Sequence, residues 1–208
     1  MQVTIDGPAG VGKTSVGSKV AKKFSLLFIQ SGQLYRALAY GKINDLDLRS
    51  LSLKSDNRAE AELLLGGENL TEELTGENIG EEASKLAKDE EIRKLVNKII
   101  TDIAAEKDVL VEGRDIGTVV LDQAEVKIFL TASAQERARR RKKQTETDRT
   151  LEEIEAGIKK RDERDQTRNL APLKPAKDAV IIDTTTLSEE EVVNQISGII
   201  TERKTPKK

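Results

Sequence analysis

The sequence predicts an α/β fold: a parallel sheet of five strands covered on both faces by helices. Three observations predict it. Short apolar runs alternate along the chain with amphipathic stretches, and those runs are continuous, as strands buried on both faces require. A glycine-rich turn joins the first run to the first amphipathic stretch, and strand-helix-strand units of this kind cross over right-handed into parallel sheets.

Taken in order, residues 3–6 form the first strand, and after the turn Val16, Val20 and Phe24 lie four residues apart on a helix. Residues 26–29 are too short an apolar run for a helix and make the second strand, followed by a helix over 33–40. From Ile92, residues Leu95, Val96, Ile99, Ile100, Ile103 and Ala104 recur at three and four, the clearest amphipathic helix in the chain. It leads into a third strand at 109–111; 126–130 and 179–182 are the fourth and fifth, each followed by a helical stretch. Ser188 with Glu191 forms a capping box that opens the last helix, striped by Val192, Val193, Ile196, Ile199 and Ile200. Thr150 with Glu153 repeats that signature. The polar stretch 51–80 and the charged connector 142–150 break the rhythm and read as excursions able to move over a site, and 204–208 reads as a frayed tail.

Composition narrows the chemistry. The 208 residues include no Cys and no His, which excludes the usual structural zinc sites, thiol catalysis and Ser-His-Asp hydrolysis. The work falls to carboxylates, Lys, Arg, hydroxyls, backbone amides and a borrowed cation. With 35 Lys and Arg against 37 Asp and Glu, the chain lacks the basic excess of a dedicated nucleic-acid binder. No apolar run is long enough to cross a bilayer and no signal-peptide pattern opens the chain, so a cytoplasmic protein of one domain, with no membrane or nucleic-acid partner, is expected.

Gly7-Pro8-Ala9-Gly10-Val11-Gly12-Lys13-Thr14 fits the phosphate-loop pattern G-x-x-x-x-G-K-[ST] between a strand and a helix, and with Ser15 it defines a triphosphate-binding set. The glycines let the backbone curl so that successive N–H groups converge on phosphate oxygens, and the helix adds its positive end. Lys13 is suited to bridge the β- and γ-phosphates, and the Thr14 hydroxyl to join a Mg²⁺ coordination sphere. The loop by itself fits GTPases, motor ATPases and kinases alike.

Arginines then accumulate. Arg36 follows the second strand, Arg114 lies just beyond the third, and Arg93 opens the long helix. The two strand-end arginines and Lys13 should converge beyond the carboxyl edge of the sheet. Arg137, Arg139, Arg140 and Arg141 form one further cluster, Arg161, Arg164 and Arg168 another. A triphosphate brought up to a monophosphate needs such guanidinium forks. The first cluster also fits a solvated helix face or a basic patch, and the second fits i,i+4 ion pairs such as Arg161 with Asp165.

These residues resemble the bacterial cytidylate kinases, nucleoside monophosphate kinases of the adenylate-kinase-like phosphate-loop group. The likeness runs from Ile5 to about Thr186, through Ile5-Asp6-Gly7-Pro8, Ser31-Gly32 with Tyr35-Arg36, Gly113-Arg114-Asp115-Ile116-Gly117-Thr118-Val119-Val120, and the Arg161 to Arg168 run before Ala171-Pro172-Leu173. It implies a three-layer α/β/α domain with a small monophosphate-binding insert and a mobile lid. The core would span about 1–30, 92–141 and 165–203, the monophosphate region 31–91 and the lid 142–164. It further implies transfer of the γ-phosphoryl of ATP to CMP or dCMP with Mg²⁺, by a monomer. Carried over by position, Ser31, Tyr35, Arg36, Ser84, Arg93, Gly113, Arg114, Asp115, Arg161, Asp165 and Arg168 serve the acceptor, Ser84 reading the cytosine edge. Arg140 and Arg141 stand at the lid stem over ATP, and Lys13, Arg114, Asp115, Arg140 and Arg161 carry catalysis. Gln30 and Glu112 depart from the family's usual acidic residue and Asp, and Glu112 keeps the ability to orient Mg²⁺-bound water.

Overall fold

The computed structural model describes residues 1–54, 61–70, 74, 76–145 and 147–204, without the side chain of Glu77. A five-stranded parallel sheet runs β2-β6-β1-β7-β8, made of β1 (Gln2–Asp6), β2 (Leu27–Gln30), β6 (Val109–Gly113), β7 (Val126–Thr131) and β8 (Val180–Asp183). Each predicted strand is there, within a residue or two of its expected bounds.

Strand alternation divides the interior in two. Phe28, Leu110, Val3, Ile5 and Ile128 pack with Val16 and Val20 of α1 (Lys13–Phe24) and with Val192, Ile196 and Ile200 of α7 (Glu189–Lys204). On the opposite face Leu27, Ile29, Val109 and Val111 meet Leu34 and Leu38 of α2 (Ser31–Ile43) and Val96 and Ile100 of α4 (Glu90–Glu106). Runs that looked uniformly apolar are thus shared between two cores, which gives the three layers. A third, small cluster of Ala138, Ile154 and Ile158 joins α5 (Ala134–Gln144) to α6 (Leu151–Thr167). The capping box at Thr150 and Glu153 forms in full.

Register fixes where the site lies. Asp6 is level with Gly113, and Gln30 with Glu112, so the phosphate loop, the start of α2 and the Arg114 turn leave the sheet together.

Three stretches differ from expectation. The helix after β2 begins at Ser31 and not at Gln33, directly off the strand. Within 51–80 the chain forms an antiparallel sheet of β3 (Ser52–Lys54), β4 (Glu62–Leu65) and β5 (Glu68–Asn69), and then enters α3 (Glu77–Leu86). Leu63, Leu65, Leu70 and Leu74 are buried against α2, and that packing, not local periodicity, holds these short elements. After β6, Ile116–Val120 forms a π-helical turn. Of the expected tail, Lys204 closes α7 and 205–208 lie outside the described residues; 55–60, 71–73, 75 and 146 of the two excursions also lie outside them. Among the described residues no helix is long and apolar enough to cross a membrane.

Candidate active site

The phosphate loop begins where β1 stops. A Cβ at Gly7 would overlap the Leu130 carbonyl, and Gly10 and Gly12 sit in the left-handed region with φ of 80° and 93°. The next residue, Lys13, starts α1, so the helix N-terminus faces the loop. The Lys13 Nζ is buried and donates to the Gly7 carbonyl at 2.8 Å and the Pro8 carbonyl at 2.7 Å. Burial and then the Arg114 guanidinium hold this amine well below its ordinary pKa. Thr14 Oγ1 donates to Glu112 Oε1 at 2.9 Å, and Ser15 Oγ turns back to the Gly12 carbonyl at 3.2 Å.

Across the crevice, Ser31 Oγ lies over Gly113, where a Cβ would stand 2.8 Å from it. Asp115 holds two guanidiniums, Arg93 on Oδ2 and Arg168 on Oδ1, the latter at 3.2 Å. Arg114 Nε reaches Asp165 Oδ2 at 3.3 Å. Arg161 is held below its ordinary pKa by burial and by Arg114, with Asp165 opposing, and it feels Arg141 and Arg36. Burial pushes the Tyr35 phenol up to about 12, between Asp115 on one hand and Arg93 and Arg168 on the other. Arg36 donates to the Leu74 carbonyl at 2.6 Å while its charge still acts on Arg161, and a Cβ on Gly80 of α3 would meet its Nη2. Ser84, one turn beyond Gly80, is exposed and donates to the Gly80 carbonyl at 2.9 Å.

The structure therefore brings Lys13, Thr14, Glu112, Arg93, Arg114, Asp115, Arg161, Asp165 and Arg168 into one constellation. It does not bring Arg140 into it. That side chain donates to Glu136 Oε1, to Thr184 Oγ1 at 3.1 Å and to the Thr184 carbonyl. Arg141 is exposed.

Three residues here escaped sequence reasoning as site residues, although Arg137 stands in one of the arginine clusters. Asp6 is buried and accepts from the N–H groups of Ile116 at 3.0 Å and Gly117 at 2.7 Å. Arg137 is buried and forks onto Asp162 at 3.0 and 2.6 Å. Thr184 Oγ1 donates to the Val11 carbonyl at 3.2 Å. Each partner lies 25 or more positions away, beyond any local pattern; for Asp6 the only local signal was a carboxylate closing the strand just before the phosphate loop.

The residues present fit a divalent cation. Glu112 Oε2 is buried without a hydrogen-bond partner among the described residues, burial raises this carboxyl's pKa, and the Thr14 hydroxyl stands beside it. No group of three His, Cys, Asp or Glu side chains that could hold a metal ion occurs among the described residues, so the remaining ligands would be phosphate oxygens and water.

A polyphosphate grip facing guanidiniums that outnumber their carboxylates, beyond the carboxyl edge of a parallel sheet, defines a phosphotransferase working between two phosphorylated substrates, a nucleoside monophosphate kinase. Similarity to known proteins agrees and is more particular. The sequence pattern of the cytidylate kinases matches residues 3–202, and the chain belongs to the cytidylate kinase family. It is 40% identical over 217 residues to the cytidylate kinase of Thermosipho melanesiensis, covering 97% of each chain. With that of Aquifex aeolicus it shares 40% over 215 residues, covering 98% of this chain and 97% of the relative. Among solved structures, shikimate kinase from Bacteroides thetaiotaomicron superposes with a TM-score of 0.53 at 13% identity over 97% of this chain and 98% of that one, a likeness of fold alone.

Proposed function

We propose that this chain transfers the γ-phosphoryl group of ATP to CMP or dCMP, giving ADP and CDP or dCDP. One observation carries the reading: the buried Lys13 amine lies within reach of the charges of Arg114 and Arg161, a like-charged set that a polyanion bound between them would relieve. The acceptor phosphate oxygen is already anionic and is the nucleophile, so no strong base is needed in a chain without His. Lys13, Arg114 and Arg161 stabilise charge spreading over the transferring group, and Asp115 orients Arg93 and Arg168 on the acceptor. Ser31, Tyr35, Arg36 and Gly113 shape the acceptor pocket, Ser84 reads the base edge, and Asp165 positions Arg114. Arg140 and Arg141 flank the donor side. Thr14 and Glu112 would hold Mg²⁺, which when bound supplies charge neutralisation at the β- and γ-phosphoryl groups.

The same reading treats the chain as one domain, with a core, a monophosphate-binding region over 31–91 and a lid over 142–164 that closes to expel water. It works as a monomer in the cytoplasm, with no membrane or nucleic-acid partner.

The test is ADP formation from ATP with CMP, dCMP, UMP, AMP and GMP presented separately, with and without Mg²⁺, beside a control lacking acceptor. Turnover with CMP and dCMP far above the rest, and only with Mg²⁺, is the expected result. Hydrolysis indifferent to every monophosphate would leave the phosphate loop standing and discard the acceptor site.

A further inference from the structure

We infer that Arg137 and Thr184 are positioning residues of the donor site: by taking the carbonyls of Ala9 and Val11 they turn the Gly10 and Gly12 N–H groups into the phosphate cradle. The inference rests on the donor reading above.

Arg137 Nη1 donates to the Ala9 carbonyl at 3.3 Å, while its Nε is fixed on the Ala132 carbonyl at 3.0 Å and its fork on Asp162. Thr184 is 1% exposed, and its Oγ1 donates to the Val11 carbonyl at 3.2 Å. Arg140 has only protons to offer that hydroxyl, so the single hydroxyl proton is left for Val11. No cis peptide occurs among the described residues, and in a trans peptide the carbonyl and the following N–H point in opposite directions. A carbonyl of Ala9 held outward by α5 therefore aims the Gly10 N–H inward, and Val11 does the same for Gly12. Neither N–H has a partner among the described residues. Glycine in these positions would otherwise let each peptide flip at little cost, and a flipped peptide presents an oxygen to phosphate. The pins supply preorganisation that the loop sequence lacks by itself.

The experiment is equilibrium binding of ATP, of inorganic tripolyphosphate and of CMP to the wild-type chain and to Thr184→Val, Thr184→Ser and Arg137→Lys. Thr184→Val keeps the side-chain shape and loses the hydroxyl; it should weaken ATP and tripolyphosphate alike, by roughly five- to tenfold, and leave CMP unchanged. Arg137→Lys keeps the charge without the fork and should follow it, with Asp162→Asn as substitute if that variant does not fold. Thr184→Ser keeps the hydroxyl but removes a buried methyl, so it should melt lower while retaining the tripolyphosphate affinity that Val loses. Tripolyphosphate bound by Thr184→Val as by wild type would overturn the inference. So would a loss confined to ATP, which would mean a contact with the nucleoside, or an affinity loss in Ser that tracks its melting temperature. Wild-type protein binding neither ATP nor tripolyphosphate would sink the donor reading itself, and the inference with it.

Discussion

Asp6 shows how far one side chain can be displaced from its ordinary chemistry by its place in the fold. It ends β1, immediately before the phosphate loop, and caps the π-helical turn that carries Ile116 and Gly117. Burial pushes its carboxyl up from 3.8 to about 6 despite the two N–H bonds that favour the anion, with Asp115 adding to the rise and Lys13 opposing it. The folded chain thus holds this proton more tightly than the unfolded chain. Its contribution to stability is complete below pH 3.8 and is lost as pH rises through about 6. A displacement of about two pH units corresponds to about 3 kcal/mol. Exposed carboxylates such as Asp183 and Glu191 are held low and act in the opposite sense, so the total does not isolate Asp6. The comparison with Asp6→Asn does: from pH 4 to pH 7 the unfolding free energy of wild type should fall relative to the variant by up to about 3 kcal/mol. A difference between the two that is flat with pH in denaturant titrations would show that Asp6 is ionised throughout.

Between elements, the decisive contact is the one β6 makes with α2. Gly113 ends β6 under the first residue of α2, and a Cβ there would stand 2.8 Å from Ser31 Oγ and press on the buried Ile116. Gly113→Ala must therefore move the start of α2 or the Arg114 turn, both on the acceptor side. Overpacking of this kind costs about 1–3 kcal/mol of stability. The expected kinetic result is a KM for CMP raised about tenfold or more with the KM for ATP near wild type; equal changes in both would refute the separation of the two sides. The same geometry explains what could be read in advance. The parallel strands were legible because both cores need apolar side chains from them, Phe28 and Leu110 for one, Ile29 and Val111 for the other. Lys13, Arg114 and Arg168 were legible because phosphate chemistry dictates residue type. The β3–β5 sheet and α3 were not, because short elements stabilised by Leu63 and Leu65 against α2 leave no periodic trace. Nor was the π-helical turn, whose cap on Asp6 lies 110 positions away. Arg137 sits in a charge run that normally faces solvent, and only tertiary structure shows it buried beneath Ala9.

Over the whole molecule, a chain of formal net charge −2 concentrates positive charge in one crevice, where Arg114 and Arg161 act against the charge of Lys13. Arg161 is the clearest case: burial and Arg114 both disfavour its charge, and a guanidinium cannot escape by losing a proton, so the conflict appears as lost stability. Removing it strands no carboxylate, because Asp165 keeps Arg114 as a partner at 3.3 Å. Arg161→Gln should therefore melt higher than wild type without nucleotide, with roughly 2–4 °C for each kcal/mol relieved in a chain of this size. The same variant should lose about a hundredfold or more in turnover with CMP, since the removed group faces the charge that develops during transfer. Packing changes could also raise a melting temperature, and salt separates the two causes. At about 1 M salt the screening length falls to about 3 Å, so the part of the gap owed to repulsion from Arg114 should shrink while the part owed to burial stays. A gap indifferent to salt would assign the gain to burial or packing and not to Arg114, and a variant melting below wild type would mean that Arg161 holds the crevice together even when no phosphate is in it.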